Sequence, residues 1–352
     1  MRRVLMIGVP LLGLALLATA CGGDNAATGT ADETNSALKA GGSKGGSLVV
    51  YSGRSKELVG PLIEQFEQAS GIKVEIRYGD TAELAAQILE EGDNSPADVF
   101  FGQDAGALGA LAAKGRFVQL SDAQLDLVPD GLKDDEGRWV GTSARARVVV
   151  YNTDKLTEAD LPESILDFTD PVWSGRLGWA PTNGSFQAFV TALRVLEGED
   201  GARTWLKGIK ANRPATFDGN TAIVEAVGSG EIEAGFVNHY YAYKLKSTNP
   251  GLAVANKLFK GGDPGGLVNV AGGGILDTAK NADAAKAFIN FLLTKEAQTY
   301  FAETTFEIPL VEGIASAKGV PTLDELTLPD LNLNQLDDLA GTLALLTELE
   351  IL

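Results

Sequence analysis

A single cysteine, Cys21, in a chain of 352 residues excludes an intramolecular disulfide. A single histidine, His239, excludes a multi-histidine metal centre, and without a nucleophile elbow it gives no catalytic triad to assemble. Neither a phosphate-binding P-loop nor a dinucleotide-binding glycine fingerprint occurs, and no pair of carboxylates stands apposed in a motif. Enzyme catalysis therefore has little to stand on. Positive charge is scarce as well: 29 Lys and Arg face 47 Asp and Glu, a net charge of −18, which argues against a nucleic-acid partner.

What is present begins at the amino terminus. Arg2 and Arg3 precede an apolar run from Val4 to Leu17, then Ala18, Thr19, Ala20 and Cys21. This pattern reads as a signal peptide over 1–20, cleaved before a cysteine that would carry a diacylglycerol anchor. Residues 21–46, from lipidated Cys21 on, are rich in Gly, Ala, Thr and Asn and read as a flexible tether that lets a folded domain swing above a membrane. Anchoring by lipid requires no transmembrane helix of the mature chain.

From Ser47 short β-rich runs alternate with amphipathic helical patterns, which predicts an α/β fold. The run 48–52 reads as a buried strand, and Leu58, Val59, Leu62, Ile63 and Phe66 mark one helix face. Strands at 72–77 and 97–101 and helices around Leu84 and Leu108 complete a first β-α-β-α-β-α unit. A second unit of the same kind starts with a strand at 147–152 and includes 176–180, a helix from Phe186 to about Leu196, a helix around Ile223 to Val227, and a strand at 233–238. Leucines at helical spacing predict a packed terminal helix in the last 24 residues. In such folds ligands sit beyond the carboxyl ends of strands, against helix amino termini.

Immediately after the strand at 233–238 stand His239, Tyr240 and Tyr241, with Tyr243 two residues on. At a strand-to-helix junction two adjacent tyrosines can reach one crevice, whereas inside a strand they would point to opposite faces. Phenolate oxygen suits a small, hard, triply charged ferric ion, and the ion in turn lowers the phenol pKa from about 10. Taken alone, such a pair serves packing as readily as metal binding.

Over roughly residues 47 to 345 the sequence resembles the ferric-ion-binding periplasmic proteins of the type II, transferrin-like class of binding proteins. The resemblance runs through VVYSGRSKE (49–57), SPADVFF (95–101), SARARVVVYNTDKL (143–156), WSGRLGWAPTNGSF (173–186), WLKGIKANRP (205–214), NTAIVEAVGSGEIEAGFVNHYY (220–241) and DPGGLVNVAGGGIL (263–276). It implies two lobes with a ligand cleft between them: 47–145 with 271–320 as the N-terminal lobe, and 146–270 with 321–352 as the C-terminal lobe. Hinge strands would lie near 145–150 and 268–275.

The resemblance further implies that Tyr240 and Tyr241 bind Fe3+. Asn183, Gly184, Ser185, Asn220, Asn238, Arg145 and Arg147 would hold a synergistic phosphate or carbonate. The chain departs from the family in its first lobe. Ser55 and Lys56 stand where relatives carry histidine, or histidine and tyrosine; Gln103 stands where one branch has a glutamate, leaving Asp104 beside it as the first-lobe candidate ligand; Phe186 neighbours the place of a third tyrosine in another branch. The implied function is that of the extracytoplasmic substrate-binding component of an ABC importer, delivering its cargo to a membrane permease driven by an ATPase, with a monomer as the family expectation. The alternative keeps the receptor role with another small ligand: phosphonate, sulfate, thiamine or polyamine.

Overall fold

The computed structural model describes residues 46–327 and 329–352. The leader, Cys21 and the tether as far as residue 45 lie outside the described residues.

The chain opens with β1 (Ser47–Ser52), α1 (Lys56–Ser70), β2 (Lys73–Tyr78), α2 (Thr81–Glu91), β3 (Val99–Gly102) and α3 (Ala105–Ala113). The apolar residues read from periodicity in α1, from Leu58 to Phe66, are all buried. Gly71 ends that helix in the left-handed region at φ 72°, a conformation glycine adopts without steric cost. A short α4 (Asp122–Leu125) leads to β4 (Val140–Asn152), thirteen residues that are buried throughout.

The second unit comprises β5 (Leu177–Trp179), α5 (Gly184–Leu196), α6 (Gly198–Ala211), β6 (Ala215–Thr216), α7 (Asn220–Ser229), β7 (Ala234–Asn238), α8 (Tyr240–Thr248) and β8 (Val254–Lys257). WLKGIK lies wholly inside α6. The chain then returns through β9 (Val268–Ile275), α9 (Ala282–Leu292), α10 (Lys295–Glu303) and β10 (Ile308–Pro309), and ends on α11 (Leu339–Glu348).

The strand order is β2-β1-β3-β9-β4-β7-β5-β6, with β8 and β10 also pairing with β4. β4 is the strand common to two sheets. Its first half, Val140 to Ala146, runs antiparallel to β9, and its second half, from Arg147 on, runs antiparallel to β7 and β8. Parallel strands β1, β2 and β3 extend the first sheet, and parallel strands β5, β6 and β7 extend the second. The result is a two-lobed α/β protein in which one strand passes from lobe to lobe.

β4 is longer than the run 147–152 because VGTSARA, too polar to read as strand, is paired along its length with glycine-rich β9. Glycine is required there by packing: a Cβ on Gly272 would sit 2.7 Å from the Val140 carbonyl oxygen and 2.7 Å from Leu108. Aromatic contacts anchor both layers, with Phe66 edge-on to Phe288 at 5.1 Å in one and Phe189 edge-on to Trp205 at 5.4 Å in the other.

The carboxyl-terminal segment touches both lobes. Residues 333–336 pack on α3, where the Leu336 carbonyl oxygen would lie 2.8 Å from a Cβ on Gly106, and α11 packs on α5. There the Thr191 and Thr342 hydroxyls meet at 2.7 Å and Arg194 donates to Asp338 Oδ2 at 2.7 Å. No helix among the described residues is long and apolar enough to cross a membrane.

Candidate functional site

Three strands of the two sheets lead by short turns into helix starts: β3 through Gln103 and Asp104, β5 through residues 180–183 ending at Asn183, and β7 from Asn238 through His239 to Tyr240. Each helix start presents unpaired backbone N–H groups and the positive end of a peptide dipole. Beneath them runs β4. Arg145 and Arg147 lie two residues apart and so share a face. Their cross-strand partners on the same face are Asn269 of β9 and Asn238 of β7.

The tyrosine pair is formed as the junction predicts. The rings of Tyr240 and Tyr241 stack at 4.2 Å with an interplanar angle of 28°. Tyr240 is fully buried and its hydroxyl has no hydrogen-bond partner; Tyr241 is partly buried. Burial pushes the Tyr240 phenol well above its ordinary pKa and the neighbouring Tyr241 adds to that, while Arg54 and Arg145 pull it back. Tyr243 turns away, donating to the Gly319 carbonyl at 2.7 Å.

The two lobes meet at Ser185. Its hydroxyl oxygen accepts from Gln103 Nε2 of the first lobe at 3.1 Å and from Asn238 Nδ2 of the second at 3.1 Å. Asn238 Oδ1 accepts from Arg147 Nη1 at 3.1 Å, and Arg147 Nη2 donates to the Phe236 carbonyl at 3.0 Å. Arg147 also lies 5.9 Å from the Phe186 ring and 5.7 Å from that of Phe189, a stacked setting that suits a planar cation. Burial lowers its pKa to about 9, which leaves it charged at neutral pH.

Asn183 caps α5 itself, its Oδ1 accepting from Ser185 N at 3.1 Å, and Gly184 follows as the first helical residue. A Cβ on Gly184 would sit 2.8 Å from Asp104 Oδ2, so the first-lobe carboxylate rests against the start of α5. Asp104 Oδ1 accepts from Ala107 N at 3.0 Å and caps α3. Burial raises its pKa, against the opposing hydrogen bond and the charge of Arg145. Asn220 is the first residue of α7, buried, with its Nδ2 unpaired.

Arg145 is 1% exposed, and none of its three nitrogens makes a hydrogen bond or ion pair among the described residues. A guanidinium carries five N–H donors. Leaving them unmet in a buried position costs several kcal/mol, on the order expected for an uncompensated buried charge. Together with the unpaired Tyr240 hydroxyl and Asp104 Oδ2, these atoms fit a polar guest rather than a packed core.

Ser55 and Lys56, at the positions of the relatives' first-lobe ligands, are both exposed. The residue before them faces the tyrosines. Arg54 is fully buried and forms a two-pronged ion pair with Glu307, Nη1 to Oε1 at 2.9 Å and Nη2 to Oε2 at 2.6 Å. Ser143 and Thr305 hydroxyls donate to the same carboxylate. Burial opposes the charge on Arg54, but Glu307, Tyr240 and Tyr241 outweigh it and hold the guanidinium above its ordinary pKa. Burial likewise opposes charge on Glu307, and Arg54 more than offsets it.

Sequence reasoning passed over Arg54, Glu307 and Asn269. The one local signal was the place of Arg54 just past the carboxyl end of β1. His239 is fully buried, its Nδ1 accepting from Ala146 N at 3.1 Å, and burial lowers its pKa to about 4. Among the described residues no group of three or more His, Cys, Asp or Glu could hold a metal ion, so a metal here would depend on phenol oxygen and on an added anion.

Residues 94–335 match the model of the bacterial extracellular solute-binding protein family. The chain is 35% identical over 293 residues to the Fe(3+)-binding periplasmic protein of Serratia marcescens, covering 82% of this chain and 86% of that one. Its fold superposes on iron-bound HitA from Pseudomonas aeruginosa with a TM-score of 0.82 at 35% identity, covering 86% of this chain and 98% of that one. It also superposes on Trichodesmium IdiA (FutA) in complex with iron and citrate, with a TM-score of 0.71 at 30% identity and the same coverage. Such agreement along most of both chains places this protein, as a two-lobed binding protein, in the bacterial extracellular solute-binding protein family.

Proposed function

We propose that this chain is the extracytoplasmic substrate-binding component of an ABC importer, that it captures ferric iron together with a synergistic phosphate or carbonate, and that it delivers the ion to a membrane permease with its ATPase. The observation that carries the reading is the stacked Tyr240–Tyr241 pair, with the charge of the buried, unpaired Arg145 acting on Tyr240. Two phenolates supply anionic oxygen to a hard cation. Arg145 and Arg147, with Asn183, Gly184, Ser185, Asn220 and Asn238, supply donors for an anion that fills the remaining coordination positions. Asp104 is the first-lobe carboxylate that lies against Gly184 at the start of α5.

Binding couples to closure. Residues 47–145 with 271–320 form one lobe and 146–270 with 321–352 the other, with β4 and β9 as hinge strands; the cargo bridges groups from both. Protein and cargo are held at the membrane by the lipid on Cys21, beyond the leader 1–20 and through the tether 21–46. Equilibrium competition against a ferric chelator of known affinity tests the proposal. Replacing both tyrosines by Phe is expected to cost roughly a hundredfold or more in ferric affinity, since two charge-bearing ligands are lost. Wild-type affinity no higher than that of the double variant would overturn it.

A second reading keeps the receptor and makes a small anion the whole cargo. The buried, unpaired guanidinium of Arg145 favours it for a small oxyanion such as phosphonate and disfavours cationic thiamine or polyamine. Anion binding without any ferric uptake would select this reading.

A further inference from the structure

We infer that the anion accepted by this site must bring a proton of its own, and that Asp104 is the residue that demands it. The inference rests on the proposed anion site and concerns which anions that site admits. The polar atoms left over around Arg145 are unequal in kind. On the donor side are all three nitrogens of Arg145 and Nδ2 of Asn269, buried and unpaired. The Asn269 amide cannot turn its oxygen inward instead, because Oδ1 already accepts from Ala105 N at 3.0 Å and from Val270 N at 2.7 Å. On the acceptor side is Asp104 Oδ2, 98% buried by residue and held in place by the cap that Oδ1 forms with Ala107 N.

Asp104 and Arg145 do not satisfy each other: no ion pair within 4.0 Å joins them. The carboxylate faces Gly184 at the start of α5 in the opposite lobe. Asp104 thus reaches the anion loop from across the cleft, while Arg145 and Asn269 approach from the floor, as cross-strand partners on β4 and β9. An oxyanion set among them accepts from the guanidinium and the amide but must donate to Asp104 in its ionised form, which the Ala107 N–H and the charge of Arg145 favour against burial. Hydrogen phosphate and hydrogen carbonate carry the required O–H, as does a carboxylate with a neighbouring hydroxyl. Sulfate near neutral pH has none, and its oxygen would confront Asp104 Oδ2 acceptor to acceptor.

The test is calorimetric titration of the mature, iron-free chain at pH 7 with hydrogen phosphate and with sulfate, for the wild type and for Asp104→Asn. Wild type is expected to prefer hydrogen phosphate by roughly tenfold or more, the worth of one hydrogen bond to a charged group. In Asp104→Asn the side-chain amide can donate to sulfate, and the preference should shrink to within about threefold. Equal affinity of the wild type for the two anions, no binding of hydrogen phosphate, or an unchanged ratio in the variant would each overturn the inference. If the variant folds poorly, the wild-type ratio still decides. Because no iron is present, a retained phosphate preference with no ferric uptake would sink the ferric reading and leave this one standing.

Discussion

Arg54 and Glu307 are 253 residues apart in sequence and fully buried against each other, and among the described residues neither has a second partner of opposite charge within ion-pair distance. Removing one leaves the other as an uncompensated charge in a low-dielectric interior. Glu307→Ala is therefore expected to destabilise the fold by about 3 to 5 kcal/mol, measured by urea unfolding; a midpoint unchanged from wild type would contradict this. His239 makes a pH-dependent contribution of opposite character. Its pKa is about 4 in the folded chain against 6.5 when exposed, so the unfolded chain binds more protons between those values. The stability it contributes is fully present above pH 6.5 and is lost as pH falls towards 4, by about 2 kcal/mol at pH 5. His239→Gln should flatten that part of the stability profile, and an equally steep profile would assign the loss to other groups. The pairing of Arg54 with Glu307 could not be read locally, because a long-range ion pair leaves no trace in periodicity, and for His239 the sequence offered only its position beside the tyrosines.

At the scale of elements, the legible parts were those with a strong period. The α1 face from Leu58 to Phe66 stood out because burial on one side of a helix forces apolar spacing. The first half of β4 was not legible, because its polar residues serve the lobe junction and its pairing lies with a glycine-rich strand more than a hundred residues later. The junction after β7 was legible for a local reason: two adjacent tyrosines at a strand end can share a crevice only if a helix begins there, and α8 begins at Tyr240. The start of α5 carries a sharper expectation. A methyl group on Gly184 would press on Asp104 Oδ2 and, at 3.3 Å, on Thr81 Cβ, both in the other lobe. Gly184→Ala should weaken cargo binding by roughly tenfold through resisted closure, with little change in thermal stability. Titration and a melting curve on the same sample check both halves, and a loss of stability with unchanged binding would place the clash inside a lobe instead.

At the scale of the whole molecule, the two-lobed α/β plan follows from the order of its elements, but the tie between lobes does not. The carboxyl-terminal segment was expected as a packed helix and is also a bridge, with residues 333–336 on α3 and α11 on α5. Its leucines announce burial without saying against what. The fold brings Gln103, Asp104 and Ser185 together from distant parts of the chain, which is why the proposed anion site was legible only through family resemblance and Asn269 was not. Cargo release should follow acid. Each phenol gives up a proton to ligate a ferric ion, so affinity should fall by up to roughly a hundredfold per pH unit, as chelator competition at successive pH values would show. A slope near zero would mean that the phenols stay protonated and do not ligate.

The claim on which the rest depends is that Tyr240 and Tyr241 together hold ferric iron. The most direct measurement is the visible absorption spectrum of the purified mature chain with ferric ion and hydrogen carbonate or hydrogen phosphate, beside the Tyr240→Phe, Tyr241→Phe double variant. A phenolate-to-iron charge-transfer band in the wild type that is lost in the variant is the expected result. No band with either anion, or a band that survives in the variant, would contradict it.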